Sequence, residues 1–144
     1  MVKEIVLGLI ELYNTKNPFE LCDYLDIIVI KHFMGNKIQG FFQKTNDGIE
    51  ILHINSELDH HTQKYICAHE LGHAILQPEL SIGFFIEYPF QLKTKAEIQA
   101  DKFAAELLIP DDILKMYPDY TLEQIAAAEN IPLELLKLKF NIKI

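Results

Sequence analysis

Apolar residues recur at helical spacing from the start of the chain. Val2, Ile5, Val6, Leu9, Ile10 and Tyr13 share one face of a helix running to about Tyr13. After the polar break Asn14 to Asn17, Asn17-Pro18-Phe19-Glu20 supplies an N-cap, a proline at the first helical position and an early acid. That combination predicts a short helix to about Leu25. The pattern then turns β-branched and alternating. Ile27 to His32 reads as a strand, Gly35-Asn36 as a turn, and Ile38 to Gln43 as a second strand. Thr45-Asn46-Asp47-Gly48 is a hairpin signal, with Ile49 to Ile54 as the returning strand, so a small antiparallel sheet is expected. Helical spacing returns over Tyr65 to Gln77, stopped by Pro78, and over about Thr94 to Ile109, stopped by Pro110. Asp111-Asp112 begins a short piece. Thr121-Leu122-Glu123-Gln124 is a capping box that opens a helix to about Glu129, and a last helix spans Leu133 to Phe140. Between Pro78 and Lys93, the aromatics Phe84, Phe85, Tyr88 and Phe90 follow no period. A cover over a site and core packing under a long connection account for them equally well.

The fold class expected is α+β: a small antiparallel sheet packed on the Tyr65–Gln77 helix, with an all-helical C-terminal part. A length of 144 residues suits one domain, residues 1–144. The composition, 49% hydrophobic and 24% charged, is that of an ordinary globular chain. A net charge of −8 and a pI near 5.1 argue against phosphate-backbone binding. The last two helices resemble a helix-turn-helix in outline. Their second member carries only Lys137 and Lys139, with Glu134, so they are expected to pack rather than to read DNA. The opening apolar run is short and flanked by acids, unlike a signal peptide, and no run approaches the ~18 residues of a membrane span. Cys22 and Cys67 do not make a disulfide framework and are expected to be free and buried. A cytoplasmic location fits these features.

The chemistry concentrates in His69-Glu70-Leu71-Gly72-His73. Residues four apart on a helix share a face, so two neutral imidazoles project side by side and suit one zinc ion. Glu70, about 100° around the helix, flanks that face and can take a proton from an activated water. Such a pentapeptide also arises by chance on amphipathic helices, but the flanks point to a site. Cys67, Leu71, Ala74 and Ile75 form an opposite apolar stripe, and Gly72 leaves room for a ligand or another backbone. A catalytic zinc needs a third protein ligand. Glu97 and Asp101, four apart on the next long helix, offer one, Glu97 first and Asp101 as the alternative. The Glu-x-x-x-Asp form is similar to that of thermolysin-like zinc peptidases, in which the Asp accepts a hydrogen bond from a ligand His. His53 reads as a polar residue on the open face of the sheet. His60-His61 reads as a solvated helix start ahead of the site helix.

Ala68 to Ile75, together with Glu97, Ala100-Asp101 and Phe103 to Pro110, resembles the ImmA/IrrE family of metallopeptidases. Asn17 to Leu21, Gly40-Phe41-Phe42 and Ile54-Asn55 look like the family's N-terminal half, so the resemblance runs from about residue 5 to 140. It implies a gluzincin-like, cytoplasmic zinc endopeptidase of a bacterium, phage or mobile element, with the sheet on a zincin-like HExxH helix. It also implies a protein substrate, a helix-turn-helix transcriptional repressor, with no direct nucleic-acid or membrane partner. His69, His73 and Glu97 match the metal ligands, Glu70 the general base, and Asp101 a position that is Asp or Asn in such proteins. Some members carry an added sensor domain, for which this chain is expected to be too short. Tyr88, His60 and His61 are candidates for a donor to the oxyanion. The rival reading is an anti-repressor that uses a zinc-stabilised fold to grip a regulator without cutting it.

Overall fold

Strand β3 (Glu50–Asn55) holds the centre of the structure, with Leu52 and Ile54 fully buried on one face. A computed structural model of the chain describes residues 1–78 and 94–142. The aromatic stretch Phe84, Phe85, Tyr88 and Phe90 lies outside the described residues. Thr45 shapes the tight turn before β3: its hydroxyl accepts from Ile49 N at 3.0 Å, and Gly48 takes a positive φ of 86°. Strand β2 (Gly40–Lys44) therefore folds back antiparallel on β3, as expected of a hairpin.

The third strand departs from the expectation. Strand β1 (Ile28–His32) runs parallel to β3, so the order is β1-β3-β2 and the sheet is mixed, not purely antiparallel. Gly35-Asn36 does not fold β1 onto β2. The connection after His32 carries the chain past the sheet and is pinned by Asn55, whose amide donates to Gly35 O at 2.7 Å and Ile38 O at 2.8 Å. The central position goes to the strand with the most buried side chains, since only there are both edges covered by neighbours.

Helix α1 (Val2–Tyr13) and α2 (Pro18–Tyr24) precede the sheet. Asn17 caps α2, its side chain accepting from Phe19 N, with Pro18 in the first turn. Helix α3 (His60–Leu76) follows the sheet and packs on the Leu52/Ile54 face. Its approach to β2 is close: a Cβ at Gly40 would lie 2.5 Å from Ile66 Cγ2. Helix α4 (Lys95–Leu108) lies along α3, and Phe103, Ala104 and Leu107 join Leu21, Phe42, Ile66 and Leu71 in the main core. Cys22 and Cys67 are both buried there as free thiols, Sγ to Sγ 3.9 Å, as expected.

A short α5 (Ile113–Met116), then α6 (Leu122–Glu129) and α7 (Leu133–Lys139), gather Ile113, Ile125, Leu135 and Leu136 into a second cluster against Ala105 and Ile109 of α4. The Thr121/Gln124 capping box is present in full. The last helix pair thus packs on α4, and Lys139 is tied to Asp111 at 2.7 Å. No helix among the described residues is long and apolar enough to cross a membrane. The class is α+β.

Candidate metal centre

Asp59, not the Tyr65 region, starts the site helix, its side chain accepting from Thr62 N at 2.8 Å. Five more residues are thereby helical than the sequence pattern indicates, and His60 and His61 fall in the exposed first turn. Their rings meet edge-on with centroids 6.1 Å apart, about two turns ahead of His69. Ile66 to Ala74 are all buried, including His69, Glu70 and His73 at 0% exposure. Burying three ionisable side chains demands partners, and a second helix supplies them.

That helix, α4, begins at the cap Thr94, which accepts from Glu97 N. From its first turn Glu97 reaches both imidazoles: Oε2 lies 3.0 Å from His69 Nε2 and Oε1 lies 2.9 Å from His73 Nε2. One turn on, Asp101 Oδ1 accepts from His69 Nδ1 at 2.8 Å, and Tyr65 Oη donates to that same oxygen at 2.8 Å. His73 Nδ1 meets Gln77 Oε1 at 2.8 Å. Glu97 and Asp101 therefore face opposite edges of the His69 ring, Glu97 the Nε2 edge and Asp101 the Nδ1 edge. A ligand atom from each of His69, Glu70 and His73 lies within 4.8 Å of the others.

With Gln77 turned as it is here, the proton positions follow. Asp101 Oδ1 and Gln77 Oε1 can only accept, so each ring carries a proton on Nδ1. A neutral ring then presents an Nε2 lone pair, and both lone pairs point at the carboxylate of Glu97. Lone pairs facing a carboxylate at 3 Å repel unless positive charge is shared, either as a proton on each ring or as a cation among the three groups. Burial works to raise the Glu97 pKa, but hydrogen bonds and charge from His69 and His73 outweigh it and hold the carboxyl well below the usual carboxylate range. Two imidazole nitrogens and one carboxylate, braced behind by a carboxylate and an amide, are a donor set that fits a divalent metal ion.

Of the residues singled out from sequence, the structure brings His69, Glu70, His73, Glu97 and Asp101 together. His60 and His61 stand apart at the helix start, and Tyr88 lies outside the described residues. His53 sits on the sheet face opposite Leu52 and Ile54, stacked on Phe41 at 4.3 Å and bonded to Gln43 at 2.8 Å. Tyr65 and Gln77 are not among the residues that the sequence marks. The signal for both was present: each is four residues from a histidine, the same spacing that pairs His69 with His73.

Residues 22–141 match the model of the IrrE N-terminal-like domain, a peptidase family. The chain belongs to this family. It is 38% identical over 141 residues to the "Uncharacterized immunity region protein 2" of Bacillus phage phi105, covering 96% of this chain and 89% of that one. It is 36% identical over 137 residues to "Metallopeptidase ImmA" of Bacillus subtilis (strain 168), covering 91% and 79%. Membership of a metallopeptidase family agrees with the donor set assembled from α3 and α4.

Proposed function

We propose that the chain is a zinc-dependent endopeptidase that acts in the cytoplasm and cuts a helix-turn-helix transcriptional repressor of a phage or mobile element. The observation that carries the reading is the convergence of His69 Nε2 and His73 Nε2 on Glu97, with both Nδ1 atoms held from behind. The names of the relatives, a metallopeptidase and an immunity region protein, support a protein substrate in a phage setting. The resemblance to ImmA/IrrE proteins, which commonly cleave such repressors, supports the choice of substrate.

His69, His73 and Glu97 would hold the zinc. When bound, zinc polarises a scissile carbonyl and lowers the pKa of a water towards ~7. Glu70, buried beside both histidines, takes the proton of the attacking water and returns it to the departing amine. Asp101 keeps His69 in the Nδ1–H tautomer and so leaves its Nε2 available.

The test is cleavage of a repressor encoded beside the gene, read as fragments by mass spectrometry, with zinc content measured on the same samples. Wild type should cut at one site. Glu70→Gln should keep its zinc and lose activity by a factor of about 10²–10⁴. Undiminished cutting by Glu70→Gln would remove that residue from the role. An intact repressor bound to zinc-loaded wild type would replace the peptidase with a non-cleaving binder.

A further inference from the structure

The two histidines are braced by unlike groups. Asp101 can only accept a hydrogen bond, so its orientation cannot alter the tautomer of His69. Gln77 is an amide, and either end of an amide can face a ring nitrogen. Its oxygen towards Nδ1 places the proton there and frees Nε2. Its NH2 towards Nδ1 would demand a lone pair at Nδ1 and shift the proton to Nε2, where it blocks a metal.

In the structure the oxygen of Gln77 faces His73 and its NH2 end has a partner of its own. Gln77 is the C-cap of α3, 6% exposed, and its backbone N–H closes on His73 O at 2.9 Å. Backbone and side chain thus both engage His73. At the far end Gln77 Nε2 donates to Gln99 Oε1 on α4 at 3.2 Å. An acceptor at that position holds the NH2 end away from His73 and leaves the oxygen towards Nδ1 at 2.8 Å. Resting on the metal reading above, we infer that Gln77 is the positioning residue of His73 and that Gln99 orients it, forming an amide relay that sets the ring for metal binding. The relay also joins the end of α3 to the helix that supplies Glu97.

The test is zinc affinity of the full chain by chelator competition, with no activity assay needed. Gln77→Leu should bind zinc about 10–100-fold more weakly than wild type. Gln77→Glu keeps an acceptor that needs no orienting and should retain wild-type affinity or better. Gln99→Leu should weaken zinc in the wild-type background and have no effect in the Gln77→Glu background. Wild-type affinity in Gln77→Leu, to within a factor of about two, would overturn the relay. So would an equal loss from Gln99→Leu in both backgrounds, which would mark Gln99 as packing alone. If Gln77→Leu fails to fold, as judged by the melting of the metal-free protein, the other variants still decide. Zinc bound by wild type, lost in His73→Ala and indifferent to Gln77 overturns the relay only. No zinc in wild type overturns the metal reading with it.

Discussion

At the scale of single residues, Gly72 shows how closely the site is fitted. It sits between the two histidines, and a Cβ there would lie 3.0 Å from Phe103 Cβ and 3.2 Å from Ala100 Cα. The backbone that approaches is α4 itself, one of the two possibilities open from sequence. On an exposed helix, Gly→Ala stabilises by about 1 kcal/mol. Here the steric effect should win, because the opposing atoms are backbone and Cβ and cannot swing aside. Gly72→Ala is expected to cost about 1–3 kcal/mol and to lower the melting temperature by several degrees. It should weaken zinc binding as well, since Glu97 and Asp101 retreat with α4. A melting temperature at or above wild type would show that the two helices tolerate a wider spacing. The residues of the site were legible at this scale wherever a side chain's chemistry is distinctive. His, Glu and Asp at fixed spacing announce a metal. Tyr65 and Gln77 are not legible there, because a lone phenol or amide on a helix is common and acquires meaning only beside a ring nitrogen or carboxylate.

Among elements, those with an amphipathic rhythm or a cap were read closely: α1 from its apolar face, α2 from Asn17-Pro18, and α6 from its capping box. Helix α3 begins ahead of its apolar pattern. Its first residues, His60 to Lys64, are all polar and bury no apolar face, so the Asp59 cap and not a hydrophobic rhythm starts the helix. The sheet's pairing was not legible either, because alternation tells which face a residue takes and not which strand lies alongside. One consequence sits on the open face. Burial, and then the nearby charge of His32, hold the His53 pKa below its ordinary value. The unfolded chain therefore takes up that proton first as the pH falls. Stability from this residue is intact above the unfolded value of about 6.5 and declines below it, levelling once the folded His53 is itself charged. Melting curves across this range should fall less steeply for His53→Gln than for wild type. Equal slopes would show that the residue is not linked to folding.

For the molecule as a whole, the candidate metal centre is a joint between two helices that belong to different parts of the chain. His69 and His73 come from α3 and Glu97 from α4, which also carries the second cluster with α6 and α7. Zinc at about 100 times its Kd would add ~2.7 kcal/mol to the folded state. Chelation should accordingly lower the melting temperature, and restored zinc should recover it. A melting temperature indifferent to both would mean that no metal bridges these helices.

The mixed sheet also has a consequence in time. Among the described residues, strand β1 has only β3 for a neighbour, and β3 is synthesised after the whole of β2. The β2–β3 hairpin is local and can close as soon as its turn exists, whereas β1 must wait, with Val29 and the preceding Ile27 not yet packed into the core. A nascent chain that stops before Asn55 holds two strands that cannot pair with each other in the native order. The first third of the protein, though it contains β1 and β2, becomes a sheet only when the strand that precedes the site helix emerges.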